Sequence, residues 1–148
     1  MALFSSFNIS ASALTANRLR MDVVSANIAN AQTTRAHYVD GEWQPYRRKV
    51  VQLQAEQQSR FDHILKRKRQ EAAGGVVVSG IRSDPSPFKL VYDPYHPDAN
   101  EEGYVQMPNV DLVKEMVDLM SASRSYEANV TVLNSVKQMY LKALEIGK

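Results

Sequence analysis

Alternating steps of four and three residues trace an apolar line through the last third of the chain. From Leu112 the line passes Met116, Leu119, Ser123, Tyr126, Val130, Leu133, Lys137, Tyr140 and Leu144, and eight of these ten positions are apolar. A second line of Val113, Val117 and Met120 runs beside its first half. This period belongs to one face of an amphipathic helix. A shorter face of Phe7, Ala11, Leu14, Met21, Val24 and Ile28, broken at Arg18, runs near the start. Two such helices can cover each other's apolar faces in the manner of a coiled coil. Asn8 or Ser10 is a fitting cap for the first helix, at about 8–31, and Asn109 for the second, at about 109–147. At 1.5 Å per residue these spans reach roughly 36 Å and roughly 57 Å. The longer helix thus carries several turns of apolar face that its partner leaves uncovered, and another subunit is the simplest cover. Contact between unlike surfaces of identical subunits propagates as a ring or a helical filament.

Between the helices the pattern changes. Tyr46 to Gln54, Val76 to Val78 and Phe88 to Tyr92 are β-prone runs. Five of the six prolines fall after residue 80, where they exclude a continuous helix. Gln54 to Glu71 is strongly polar and reads as an exposed loop or a short helix. The expected fold is mainly α with a small β insertion: paired N- and C-terminal long helices forming a coiled-coil-like core, plus a short β-rich middle element. Residues 1–35 and 108–148 are expected to form one helical core domain, and residues 36–107 the β-rich insertion with a proline-rich loop.

Composition adds little. The chain of 148 residues carries a net charge of +2, too small to imply a polyanionic partner by itself. It has no cysteine, so disulfide and thiolate chemistry are excluded. No apolar run is long enough to span a bilayer. The N-terminus lacks the basic cluster of a secretory signal, so any exit from the cytoplasm is expected to use a route that reads no cleaved signal peptide.

Candidate chemistry is sparse. Asp93, His96, Asp98, Glu101 and Glu102 cluster, but their spacing matches no metal loop, and Pro94 and Pro97 stiffen the backbone between them. A solvated, proline-rich turn is the expected reading, with no metal and no cofactor. Lys66 to Arg69 form a basic run without interleaved aromatics to stack on bases. A solvated charged face is expected there, and nucleic-acid binding is the alternative. No nucleophile with a base and no phosphate-cradling glycine loop appears, so no enzymatic activity is expected. Trp43 reads as a local anchor of the β element or as an interface residue.

Asn27 and Asn30 lie three apart on one side of the first helix, and Asn129 lies inside the second. Asparagine is a poor helix-interior residue. These three are candidates for fixing register, as a buried asparagine does in a coiled coil. Leu112, Met116, Leu119, Val130, Leu133 and Tyr140 are the candidates for the packed seam of an assembly. Leu14, Met21, Ile28 and Tyr126, on the same faces, complete the candidate interface.

Specific motifs then appear in order. Val23-Val24-Ser25-Ala26-Asn27-Ile28-Ala29-Asn30-Ala31-Gln32-Thr33-Thr34 resembles the N-terminal signature of bacterial flagellar rod and hook proteins. Asn109 to Val113, Glu115-Met116-Val117, Arg124 and Tyr126 to Asn129 resemble the C-terminal signature of the same family. Tyr92-Asp93-Pro94, the stretch His96 to Val105 and Pro108-Asn109-Val110 resemble its proximal-rod branch. The resemblance covers nearly the whole chain and is weakest in the middle. It implies an axial subunit of the basal body, exported unprocessed through the flagellar export apparatus, with paired terminal helices forming the inner tube. The implied neighbours are the other rod proteins FlgB, FlgF and FlgG, the adaptor FliE and further copies of the chain. The short insertion suits a narrow part of the rod.

Overall fold

The structure is a computed structural model and describes residues 2–39, 41–56 and 74–146. Helix α1 spans Ala2–Ala29 and helix α2 spans Leu112–Ile146. Between them lie β1 (His37–Val39), β2 (Glu42–Gln44), β3 (Lys49–Ala55), β4 (Val76–Ser83), β5 (Lys89–Tyr92) and β6 (Tyr104–Met107). The strands pair as three separate two-stranded sheets, β1 with β2, β3 with β4 and β5 with β6. Two long helices with a small strand-rich middle are the expected fold class.

Several expected details differ. Helix α1 begins at Ala2, ahead of both expected caps, and two hydroxyls further along it bond back to its own carbonyls. Ser12 Oγ donates to the Ile9 carbonyl and Thr15 Oγ1 to the Ala11 carbonyl. With 28 residues in α1 and 35 in α2, the second helix is longer by about two turns, fewer than the sequence pattern suggested. The cap of α2 is Asp111. Its Oδ1 accepts the amides of Val113 (3.0 Å) and Lys114 (3.4 Å), and its carbonyl accepts Glu115 N–H (2.9 Å). Asn109 is instead spent on tertiary bonds described below.

Chain contacts divide the molecule into two compact units. The first contains the described residues of Met1–Leu19, Gln52–Gly80 and Ala122–Lys148. Its buried side chains are small or modest: Ser10, Ala16, Ala122 and Val136. Ser12 Oγ accepts the Val76 N–H at 3.1 Å, tying α1 to the start of β4. The two glycines before β4 are needed for close approach. A Cβ on Gly74 would lie 2.6 Å from the Glu56 carbonyl oxygen, and one on Gly75 would lie 2.5 Å from Ser12 Oγ.

The second unit contains Arg20–Val51 and Ile81–Ser121. Val23, Val24, Tyr46, Val105 and Val110 are its buried apolar residues. The β1–β2 pair is in antiparallel register with Tyr38 opposite Trp43, whose rings meet edge to face at 5.3 Å. The β5–β6 pair sets Tyr92 opposite Tyr104, again edge to face at 5.3 Å. Here α1 and α2 run in opposite directions, since Arg20 meets Asp118 while Asn27 meets Glu115.

Candidate functional site

The segment leading into β3 carries the most elaborate polar cluster of the second unit. Tyr46 Oη donates to Asn27 Oδ1 at 3.0 Å, and the same oxygen accepts the Lys49 N–H at 2.9 Å. Asn27 Nδ2 donates to the Lys49 carbonyl and to Glu115 Oε2, each at 2.9 Å. A side-chain amide offers two N–H donors and an oxygen with two lone pairs. Asn27 therefore uses its full capacity, at 0% exposure. One side chain on α1 thus fixes α2 and the backbone of β3 together.

Glu115 is also 0% exposed, and a carboxylate can be buried only with compensating partners. Its Oε1 accepts from Arg48 Nε at 2.6 Å. The same guanidinium reaches Asp84 (3.4 Å) and Asp118 (3.5 Å), and Arg20 of α1 meets Asp118 at 3.4 Å. Arginine suits this hub because its planar fork carries five donors. Burial pulls the Arg48 guanidinium down, but its bonds to Glu115 and Asp84 outweigh that and leave it raised. Burial pushes the Tyr46 phenol up, and the Glu115 charge adds to the shift. Asn109 Oδ1 accepts the Arg48 N–H at 2.8 Å, while its Nδ2 donates to the carbonyls of Ser86 (3.1 Å) and Asp84 (3.3 Å). The cluster spends its donors and acceptors on one another, so its chemical work is to fix geometry.

The sequence candidates separate by surroundings. In the second unit Asn27 is buried, Met21, Ile28, Asn30 and Leu119 are half-buried, and Leu112 and Met116 are exposed. In the first unit Leu14, Tyr126, Asn129, Val130, Leu133 and Tyr140 are all half-buried. Asn30, just past the end of α1, donates from Nδ2 to the Ala26 carbonyl and accepts from Thr33 Oγ1, and Asn129 Nδ2 donates to the Ser125 carbonyl, so both amides bond locally. The buried residues of α2 are Glu115, Ala122 and Val136, one position round from the line through Met116, Ser123 and Lys137. Leu112, Val113, Met116, Val117 and Met120 are consequently 44–72% exposed along one side of the second unit.

The proline-rich turn has its own clip. Thr34 Oγ1 donates to Asp98 Oδ2 at 2.7 Å, and Arg35 pairs with Oδ1 of the same carboxylate. His96 Nδ1 accepts the Asp98 N–H at 3.1 Å. The Arg35 hydrogen bond, then that of Thr34, holds the Asp98 carboxyl below the ordinary aspartate value. Hydrogen bonds from Ser86 do the same for Asp84, with Arg48 adding to them. A carboxyl lowered by folding contributes stability above its unfolded pKa, about 3.9, and loses it as pH falls through the folded value. Stability should therefore drop on acidification below about pH 4. Asp98→Asn should lessen that drop, as read from urea midpoints measured across the acid range.

Among the described residues, no group of three or more His, Asp and Glu side chains could hold a metal ion. No described helix is long and apolar enough to cross a membrane. The basic run Lys66 to Arg69 lies outside the described residues. Sequence reasoning gave no role to Arg20, Tyr46, Arg48, Asp84 or Asp118. Glu115 entered only as a motif position. The one available signal was an acid set on α2 close to apolar neighbours.

Comparison with known proteins agrees with the motifs. Residues 7–36 match the family described as "Flagella basal body rod protein", and residues 101–146 match "Flagellar basal body rod FlgEFG protein C-terminal". The flagellar basal-body rod protein FlgC of Bacillus subtilis is 62% identical over 151 residues, covering 100% of both chains. Its counterpart in Borreliella burgdorferi is 47% identical, covering 99% of this chain and 98% of that protein. The Salmonella typhimurium protein is 46% identical over 148 residues, again across both full lengths. With both signature helices matched and identity this high from end to end, the chain belongs to the FlgC family of flagellar basal-body rod proteins.

Proposed function

We propose that the chain packs with copies of itself and with the rod proteins FlgB, FlgF and FlgG, next to FliE, in the axial shaft of the basal body. Its role is structural and includes no catalytic step. Residues 1–35 and 108–148 act as the helical core that transmits torque and lines the export channel. Residues 36–107 add lateral contacts. The subunit reaches its place through the flagellar export apparatus without cleavage of a signal peptide.

The observation that carries this reading is the uncovered side of α2. Leu112, Val113, Met116, Val117 and Met120 form a continuous apolar stripe, 44–72% exposed, on a helix that is fixed from its other side by Glu115 and Asp118. A continuous apolar patch on a folded surface marks an interaction site. Burying one such side chain contributes roughly 1.5–3 kcal/mol, and a tube repeats the contact at every subunit. Of the candidate seam residues, Met21, Ile28 and Leu119 share a unit with this stripe and Leu14, Tyr126, Val130, Leu133 and Tyr140 belong to the other unit, and each would meet a neighbour through its exposed part. Asn27 would hold register inside the subunit, where its hydrogen bonds are made, and Asn30 and Asn129 would offer neighbours the capacity left by their local bonds.

Met116→Lys combined with Met120→Lys tests the reading. Exposed substitutions of this kind change monomer stability by only about 0.5 kcal/mol. Loss of two anchors weakens each subunit contact by at least about 3 kcal/mol. The expected result is a normally folded, stably produced subunit that fails to enter the rod, and cells that do not swim. Complete rods and normal swimming with the double variant would place the interface elsewhere.

A further inference from the structure

Two features of the second unit fit each other and are used by nothing described so far. The first is a knob. Tyr95 is 96% exposed, standing between Pro94 and Pro97 on the turn that follows β5. The turn is stiff. Asp93 Oδ1 accepts the Tyr95 N–H at 3.2 Å, the Asp93 carbonyl accepts His96 N–H at 3.3 Å, and Asp98 clips the segment to Thr34 and Arg35. Gly103 closes the turn at φ +81°, where a Cβ would lie 3.0 Å from the Tyr92 ring. A tyrosine carried on a stiff turn asks for little backbone ordering on binding, and tyrosine is enriched among residues that dominate interfaces.

The second is a groove of about 520 Å³ whose walls include Trp43, Phe88 and Tyr104. Its polar lining has spare capacity: the side chains of Glu42, Gln44 and Gln106 make no hydrogen bond among the described residues. Arg47, in the same wall, stacks over Phe88 at 4.5 Å and has no acidic partner among the described residues. The groove thus offers aromatic faces for a ring, acceptors for a phenolic hydroxyl and, at Arg47, a cation for a nearby carboxylate; of the two carboxylates in its wall, Asp98 is already paired with Arg35, and Arg47 itself donates to the Asp84 carbonyl at 3.4 Å. The turn carries a ring, a hydroxyl and, two residues earlier, the Asp93 carboxylate.

We propose that the Tyr92–Pro97 turn of one copy docks in this groove of a second copy, with Tyr95 as anchor and Asp93 facing Arg47. Knob and hole are different surfaces of one chain, so the contact joins unlike faces and adds subunits in series. The inference rests on the assembly reading above. It adds a second contact, separate from the stripe on α2.

The test is made in flagellated cells producing the full chain. With p-benzoylphenylalanine in place of Tyr95, irradiation should give an adduct of dimer mass, mapped to peptides containing Trp43 or Gln106. Tyr95→Ala should fold normally yet lower recovery of the subunit in purified basal bodies, with a loss of subunit affinity of about thirty-fold. Tyr95→Phe, which keeps the ring, should restore most of that recovery. Normal recovery of Tyr95→Ala, or an adduct to a different protein or a different face, overturns the docking while leaving the assembly reading intact. Absence of the unsubstituted chain from basal bodies overturns both.

Discussion

Replacing Glu115 by alanine should lower the unfolding free energy of the purified chain by about 3–5 kcal/mol, the cost of removing one partner from a buried ion pair. The effect is large because Glu115 is fully buried and serves two partners, Arg48 Nε at 2.6 Å and Asn27 Nδ2 at 2.9 Å. Its loss leaves the Arg48 charge, with a side chain only 14% exposed, leaning on Asp84 and Asp118 at longer range. Native domains hold only about 5–15 kcal/mol in total, so much of the stability goes. Glu115→Gln, which keeps the shape and removes the charge, should fall between wild type and alanine. Glu115→Leu with Arg48→Met should recover part of the loss, because the two most buried charges leave together, while Asp118 keeps Arg20 and Asp84 keeps its Ser86 hydrogen bonds. Urea midpoints decide the matter. An unchanged midpoint in Glu115→Ala would mean that the cluster contributes nothing to folding.

Asn27→Asp should be comparably severe and should carry a distinctive pH signature. The substitution conserves size but exchanges two N–H donors for an acceptor. The new oxygen would then face the Lys49 carbonyl and Glu115 Oε2, both acceptors, at the 2.9 Å now spanned by hydrogen bonds. Two carboxyls at that separation share one proton, so one of them takes a raised folded pKa. A raised folded pKa gives stability that is present in acid and lost as pH rises through it. The variant should therefore be less unstable near pH 4 than at neutrality, opposite in sign to the contributions of Asp84 and Asp98. Asn27→Ala should lack this slope and still cost about 3 kcal/mol or more, since the Lys49 N–H, the Lys49 carbonyl and the Tyr46 hydroxyl lose a partner. Stability measured across pH for both variants separates the two outcomes. An Asn27→Asp curve parallel to wild type would refute the shared-proton account.

Both predictions rest on residues that the pattern of the chain treats very differently. The long helices were legible because their apolar spacing repeats over many turns. The valine-rich runs marked β3 and β4. Strands β1, β2 and β6 are three or four residues long, too short for alternation to show, and their pairing depends on neighbours. The start of α1 was misplaced because Asn8 and Ser10 read as caps, whereas the helix runs through both from Ala2. Asn109 and Asp111 are both plausible caps in sequence. Only the tertiary demand of Arg48 and the Asp84 and Ser86 carbonyls on Asn109 decides between them. Asn27 stood out as a misfit inside a helix, but two of its partners are backbone groups of Lys49, which no sequence pattern marks. Glu115 and Arg48 are 67 residues apart, and an acid on a helix normally faces water.

Burial also runs against expectation in a consistent direction. The helices hide Ser10, Ala16, Val23, Val24, Asn27, Glu115, Ala122 and Val136, none larger in the apolar set than valine, and display Leu112, Val113, Met116, Val117 and Met120. Small residues let backbones approach closely, and the saturated amide and paired carboxylate make polar burial tolerable. Larger apolar side chains are then left for the outside. Among the described residues, eight apolar residues are buried while twenty-two large ones are exposed, a balance that suits a part of an assembly better than a free-standing protein.

That outward-facing stripe on α2 has a consequence for timing. Free chains with such a surface attract one another in proportion to their number, so the pool of unassembled subunits has a ceiling above which it clumps. A cell making this protein has to keep synthesis in step with removal, by slow translation, prompt secretion or a temporary escort. Raising expression alone should yield inclusion bodies before it yields more shafts.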